Sequence, residues 1–137
     1  MKSKAISLYI VLFFLCSFSS RASFVLLPME AEGQQNHLKA YGITYWALDK
    51  SYKVSWLLNY RGGSFLLPDA PEIRKECQIR GVTFEVLSDV ATNSILEDIS
   101  SPSQNMETVV LEKAPKIAVY TPKGKQPWDD AVTMVLT

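Results

Sequence analysis

The chain has 137 residues, enough for one ordinary domain, and its 47% apolar and 20% charged residues exclude a disordered or collagen-like polypeptide. Lys+Arg and Asp+Glu number 14 each; with Lys2, Lys4 and Arg21 assigned to a leader, 11 basic groups face 14 acidic ones. A mildly acidic domain carries no electrostatic footprint for nucleic acid.

Lys2 and Lys4 precede an apolar run over residues 6–18, and the small residues Ser20 and Ala22 follow it. This three-part layout predicts a secretory signal peptide over residues 1–22, cut after Ala22, and therefore an exported protein, periplasmic or secreted. The apolar run is shorter than the roughly 20 residues that span a bilayer, so no stable membrane span is expected after cleavage. An uncleaved anchor and a lipoprotein based on Cys16 are the alternatives. After cleavage Cys77 is the single cysteine, so no internal disulfide can form. Cys77 follows Ile73 by four residues and so shares a helix face with it, which predicts a buried thiol.

Along the remaining chain, residues 24–27 form a short apolar run ended by Pro28, the pattern of a buried strand. Asn36 is a suitable N-cap for a helix in which Leu38, Tyr41, Tyr45 and Leu48 recur on one face. Tyr41, Tyr45 and Trp46 read as core and rim aromatics. Residues 53–58 and 64–67 predict two further strands, and residues 72–80 a helix with Gly81 at its C-cap. A strand over 82–87 leads to a helix capped by Ser88 or Asp89, which includes Ile95, Leu96 and Ile99. Residues 100–105 are a polar link. A strand over 116–120 and a helix opened by Pro127 complete the series. Strands alternating with helices predict an α/β sandwich with a mainly parallel sheet flanked by helices, flavodoxin-like in plan. The last helix has no Gly, basic turn or polar tail, so the fold is expected to continue past Thr137 in a longer protein.

In open parallel sheets, ligands bind beyond the carboxyl ends of the strands. That rule selects Met29, Glu30, Asn36 and His37 after the first strand, Asn59, Tyr60, Arg61, Gly62, Gly63 and Ser64 after the second, and Thr121, Lys123, Gly124, Lys125 and Trp128 after the late strand. Two glycines beside an Arg can present backbone N–H groups and a charged fork to an anion or carbonyl. The same Gly-Gly pair between two apolar runs also predicts a hairpin turn. No dinucleotide or phosphate-loop motif is present, and one His with no cysteine pair gives no zinc site, so no metal or cofactor is expected.

The segments Asn36-His37-Leu38-Lys39-Ala40-Tyr41-Gly42, Trp56-Leu57-Leu58-Asn59-Tyr60-Arg61-Gly62-Gly63-Ser64-Phe65 and Ala114-Pro115-Lys116-Ile117-Ala118-Val119-Tyr120 carry a resemblance. Through them the chain resembles the start of exported Bacteroidetes-type proteins commonly labelled asparagine synthetase B. The resemblance implies an N-terminal α/β region over 23–113, then the start over 114–137 of a second, class I glutamine-amidotransferase-like α/β unit. It supplies no catalytic residue here: Lys2 follows Met1 where the glutamine-hydrolysing enzymes place a nucleophilic Cys, and their Ser-Gly-Gly-x-Asp-Ser loop does not occur. The expected function is small polar ligand binding or processing in the periplasm. The alternatives are an amidotransferase- or hydrolase-like enzyme with catalytic residues beyond Thr137, or a non-catalytic envelope interaction module.

Overall fold

The computed structural model describes residues 23–116 and Ala118. Its elements run β1 (Ser23–Leu27), α1 (His37–Asp49), β2 (Val54–Leu58), β3 (Phe65–Pro68), α2 (Pro71–Arg80), β4 (Glu85–Ser88), α3 (Asp89–Ser100) and β5 (Glu107–Leu111). Local chemistry accounts for the helix ends. Pro71 opens α2, where its missing N–H costs nothing, and Gly81 closes it in the left-handed conformation at φ 66°. The Ser88 hydroxyl accepts from the Ala91 amide at 3.3 Å and caps α3. Asn36 occupies the N-cap of α1 but its side chain makes no capping bond there. It donates instead to the Gly81 carbonyl at 2.7 Å, tying the start of α1 to the end of α2.

The strands form one sheet in the order β4-β1-β3-β2-β5. All four pairings, β1 with β3, β1 with β4, β2 with β3 and β2 with β5, are antiparallel. The expectation of a mainly parallel, flavodoxin-like or amidotransferase-like sheet is therefore corrected. A helical crossover returns the chain in its original direction, but here each one skips a place. β3 lies between β1 and β2, and β1 lies between β3 and β4. The first six elements thus follow the split βαβ plan, twice over. β5, for which the sequence pattern predicts no element, adds a fifth strand beside β2. Residues 117 and 119–137, with most of the expected strand over 116–120 and the helix after Pro127, lie outside the described residues.

Successive strand residues serve two separate cores. On one face Val25, Leu27, Val54, Phe65 and Leu67 pack with Ala40, Ile43 and Ala47 of α1 and Ile73 and Cys77 of α2. On the other, Leu26, Leu57 and Leu66 pack with Ile99, with Ile95 and Leu96 of α3 against them. This double burial explains the misleading apolar runs at β1 and β3. Continuous apolar strands signal a sheet covered on both sides, which is commonest among parallel sheets but not confined to them. Leu26, Leu27 and Leu67 sit where truncation to Ala costs about 2–5 kcal/mol. Among the described residues, no helix is long and apolar enough to cross a membrane.

Candidate functional site

The sequence-selected residues concentrate at one end of the sheet, where β1 leaves toward α1, β2 turns into β3, and β4 begins. The Gly-Gly segment is the β2–β3 hairpin turn. It is strongly left-handed: Asn59, Arg61, Gly62 and Gly63 have φ of 60°, 44°, 79° and 87°. Only glycine fits at position 62, because a Cβ there would stand 2.4 Å from the Met29 carbonyl oxygen. The turn is closed by Ser64, whose hydroxyl donates to the Arg61 carbonyl at 3.0 Å, and by the Trp56 indole N–H, which donates to the Gly63 carbonyl at 3.1 Å.

Met29 is the backbone hub of this end. Its amide donates to the Arg61 carbonyl at 3.1 Å, and its carbonyl lies 3.2 Å from His37 Nε2. Above it, the Arg61 guanidinium is held from two sides. Nε donates to Glu30 at 2.7 Å, while Nη1 and Nη2 donate to the two oxygens of Glu85 at 3.0 and 2.8 Å. The hydrogen bonds it donates to Glu85 first, and then to Glu30, hold the Arg61 pKa well above its ordinary value. One guanidinium faces two carboxylates, so the cluster carries an excess negative charge. Its geometry clamps β1, the β2–β3 turn and β4 together; it does not present Arg61 to an external anion.

The structure thus brings His37, Arg61, Gly62 and Ser64 together around Met29. It does not bring in Asn36, which is tied to Gly81, or Asn59, whose side-chain amide donates to the Asn105 carbonyl at 2.7 Å. Gly63 belongs to the turn through its Trp56 contact. Thr121, Lys123, Gly124, Lys125 and Trp128 lie outside the described residues. The rule that placed ligands beyond parallel strand ends loses its basis in an antiparallel sheet. Sequence reasoning also missed Gln34, which is 1% exposed. Its amide donates to the Thr83 carbonyl at 3.1 Å and accepts from the Thr83 amide at 3.2 Å, joining the β1–α1 and α2–β4 loops. A Gln in a polar loop gives no sequence signal of such burial.

A second feature lies on the helical face of the sheet. α1 and α2 pack on β1, β2 and β3, whereas β5 lies at the sheet edge beside β2 and meets its helical neighbour, α3, on the opposite face. A groove of about 720 Å³ follows, walled by Tyr41, Tyr45 and Leu48 of α1, Trp56 and Phe65 of the sheet, and Leu111 of β5. Its floor is an aromatic ladder. Trp56 stacks on Phe65 at 6.1 Å, and Tyr41 meets Phe65 edge-on at 5.6 Å. Tyr41 and Tyr45 remain 50% and 44% exposed, so the face read from sequence as core and rim has an open rim.

Cys77 is fully buried, and burial pushes its thiol up to about 11. Among the described residues, no group of three or more His, Cys, Asp or Glu side chains is placed to hold a metal. The chain matches no family model, no curated protein and no solved structure.

Proposed function

We propose that residues 23–116 form a non-catalytic recognition module of an exported protein, and that its binding surface is the aromatic groove between α1 and β5. The observation that carries this reading is the groove itself. A cleft of about 720 Å³ walled by Tyr41, Tyr45, Trp56, Phe65 and Leu111 has the size and lining of a binding site for apolar or aromatic groups. The half-exposed tyrosines hold apolar surface in water that an occupant would cover, and their hydroxyls can orient it. The polar end of the sheet supports the same reading by contrast, since its charged groups are already paired with one another. Export rests on the leader pattern of residues 1–22.

The test is binding of anilinonaphthalene sulfonate by the purified chain without its leader. The native chain raises and blue-shifts the dye emission, and Tyr45→Lys reduces that signal several-fold while its thermal melting stays native. Equal dye emission from the native chain and a folded Tyr45→Lys variant would refute the groove as the binding surface.

A further inference from the structure

β5 is an edge strand: it pairs with β2 on one side and, among the described residues, with no strand on the other. The hydrogen-bonding pattern fixes which backbone groups face outward. The Leu57 amide donates to the Ser64 carbonyl at 2.8 Å, so Leu57, and Ser55 two residues before it, turn their backbone groups toward β3. Val54 and Trp56 then turn theirs toward β5, where they meet Leu111 and Val109. Thr108 and Val110 therefore direct their N–H and C=O groups away from the sheet. Edge strands are ordinarily guarded by a charge, a proline or a bulge. Between Glu107 and Glu112, β5 carries only Thr108-Val109-Val110-Leu111, in unbroken register with β2, and Val110 is 56% exposed. The opposite edge strand, β4, is shorter, and its Glu85 is committed to Arg61.

We propose that this edge takes a second copy of the chain, the two β5 strands pairing antiparallel about a two-fold axis at Val110. Outward-facing backbone groups must meet outward-facing groups, which leaves registers centred on Thr108, Val109, Val110 or Leu111. Of these, only the register centred on Val110 sets unlike charges opposite one another. It places Val110 against Val110, Val109 against Leu111, and Glu107 against Lys113 of the second copy, two residues past the end of β5. Glu107 and Lys113 are both exposed, and the two-fold axis makes their contact twice. The edge is thus self-complementary in charge and in apolar surface, as a closed two-fold dimer requires. The axis stands perpendicular to the sheet, so the copies share one continuous sheet with their α1 and α2 helices on the same side. A contact one strand long is small, and the dimer is expected to form at about 10–100 μM.

Sedimentation equilibrium of the purified protein, with charge reversal, is the experiment. The protein shifts from monomer to dimer as its concentration rises from about 5 to about 500 μM. Glu107→Lys and Lys113→Glu each set like charges opposite one another twice per dimer and weaken association about tenfold, and the chain carrying both recovers it to within about twofold. A monomer throughout that range, or a doubly reversed chain as weak as the single variants, would overturn the proposal. Oxidative cross-linking checks the register on a Cys16→Ser background. Val110→Cys forms a disulfide-linked dimer, because residues facing one another across a hydrogen-bonded pair have Cα atoms about 5.5 Å apart, within disulfide reach. Thr108→Cys does not, because the two copies of residue 108 stand about 14 Å apart along the strands. Equal cross-linking of the two variants would refute the pairing about Val110.

Discussion

Arg61 and Glu85 meet through two parallel hydrogen bonds, Nη1 to Oε2 at 3.0 Å and Nη2 to Oε1 at 2.8 Å, across 24 residues of sequence. The pair joins a hairpin turn to the start of an edge strand, and Glu30, in the loop after β1, accepts a further bond. Such a fork has a fixed planar geometry that an ammonium cannot reproduce.

Arg61→Ala is therefore expected to lower the unfolding free energy by about 1 kcal/mol, the upper end of the range for partly exposed ion pairs because three segments share the contact. Arg61→Lys recovers less than half of the loss. Urea unfolding monitored by circular dichroism measures both. An unchanged midpoint for Arg61→Ala would show that the clamp contributes nothing, and would return Arg61 to the list of free binding groups.

The two glycines of the same turn differ in what surrounds them. At Gly62 a Cβ would fall 2.4 Å from the Met29 carbonyl oxygen, a rigid backbone atom, whereas at Gly63 the nearest atom is Trp56 Nε1 at 3.3 Å. Both have positive φ, so both substitutions incur the left-handed penalty. Gly63→Ala is expected to cost about 1 kcal/mol, and Gly62→Ala about 3 kcal/mol because β1 must also move. Differential scanning calorimetry ranks them; a Gly63→Ala variant as unstable as Gly62→Ala contradicts the turn geometry.

Much of this local structure was legible in the residues. Pro71 and Gly81 bracket α2, Ser88 caps α3, and Gly62-Gly63 between two apolar runs marks the hairpin. The sheet order was not legible, because a crossover helix reports strand direction and leaves the strand's slot open. Continuous burial of Val25-Leu26-Leu27 then imitated a parallel core. β5 escaped notice because Glu107-Thr108-Val109-Val110-Leu111 shows neither strict alternation nor turn residues close after it. The groove depends on that strand, so it was hidden with it. The clamp was partly visible: Arg61 and Glu30 both stood out at strand ends, but their pairing, and the part played by Glu85, depend on elements that only the fold brings together.

Cys77 gives a prediction in pH. Burial raises its thiol from 9.0 to about 11, so the folded state retains a proton that the unfolded state sheds above pH 9. The stabilisation is complete below pH 9 and declines as pH rises toward 11. Compared with Cys77→Ala, the native chain loses its stability advantage across that window, on the order of 1–2 kcal/mol, since Tyr and Lys titrations common to both cancel. Denaturant titrations at pH 8 and pH 11 supply the difference. A constant gap between the two proteins would place the thiol in contact with solvent, as would rapid reaction with Ellman's reagent in the native state.

Gln34 tests whether the polar loops act as a structural joint. Its carbonyl oxygen accepts from the amides of Asn36 at 3.3 Å and Thr83 at 3.2 Å, while its amide nitrogen donates to the Thr83 carbonyl at 3.1 Å. Leucine fills a similar volume but leaves the Thr83 amide and carbonyl without these partners, so Gln34→Leu should cost about 2–3 kcal/mol despite greater apolarity. Gln34→Glu keeps the acceptor but turns a second oxygen toward the Thr83 carbonyl, so it should be worse than leucine at neutral pH and improve on acidification, as a protonated carboxyl can donate. The ordering of the two variants at pH 7 and pH 4 is the measurement. If Gln34→Leu equals or exceeds the native stability, the amide is a passenger in an apolar pocket and the two loops are held together by packing alone.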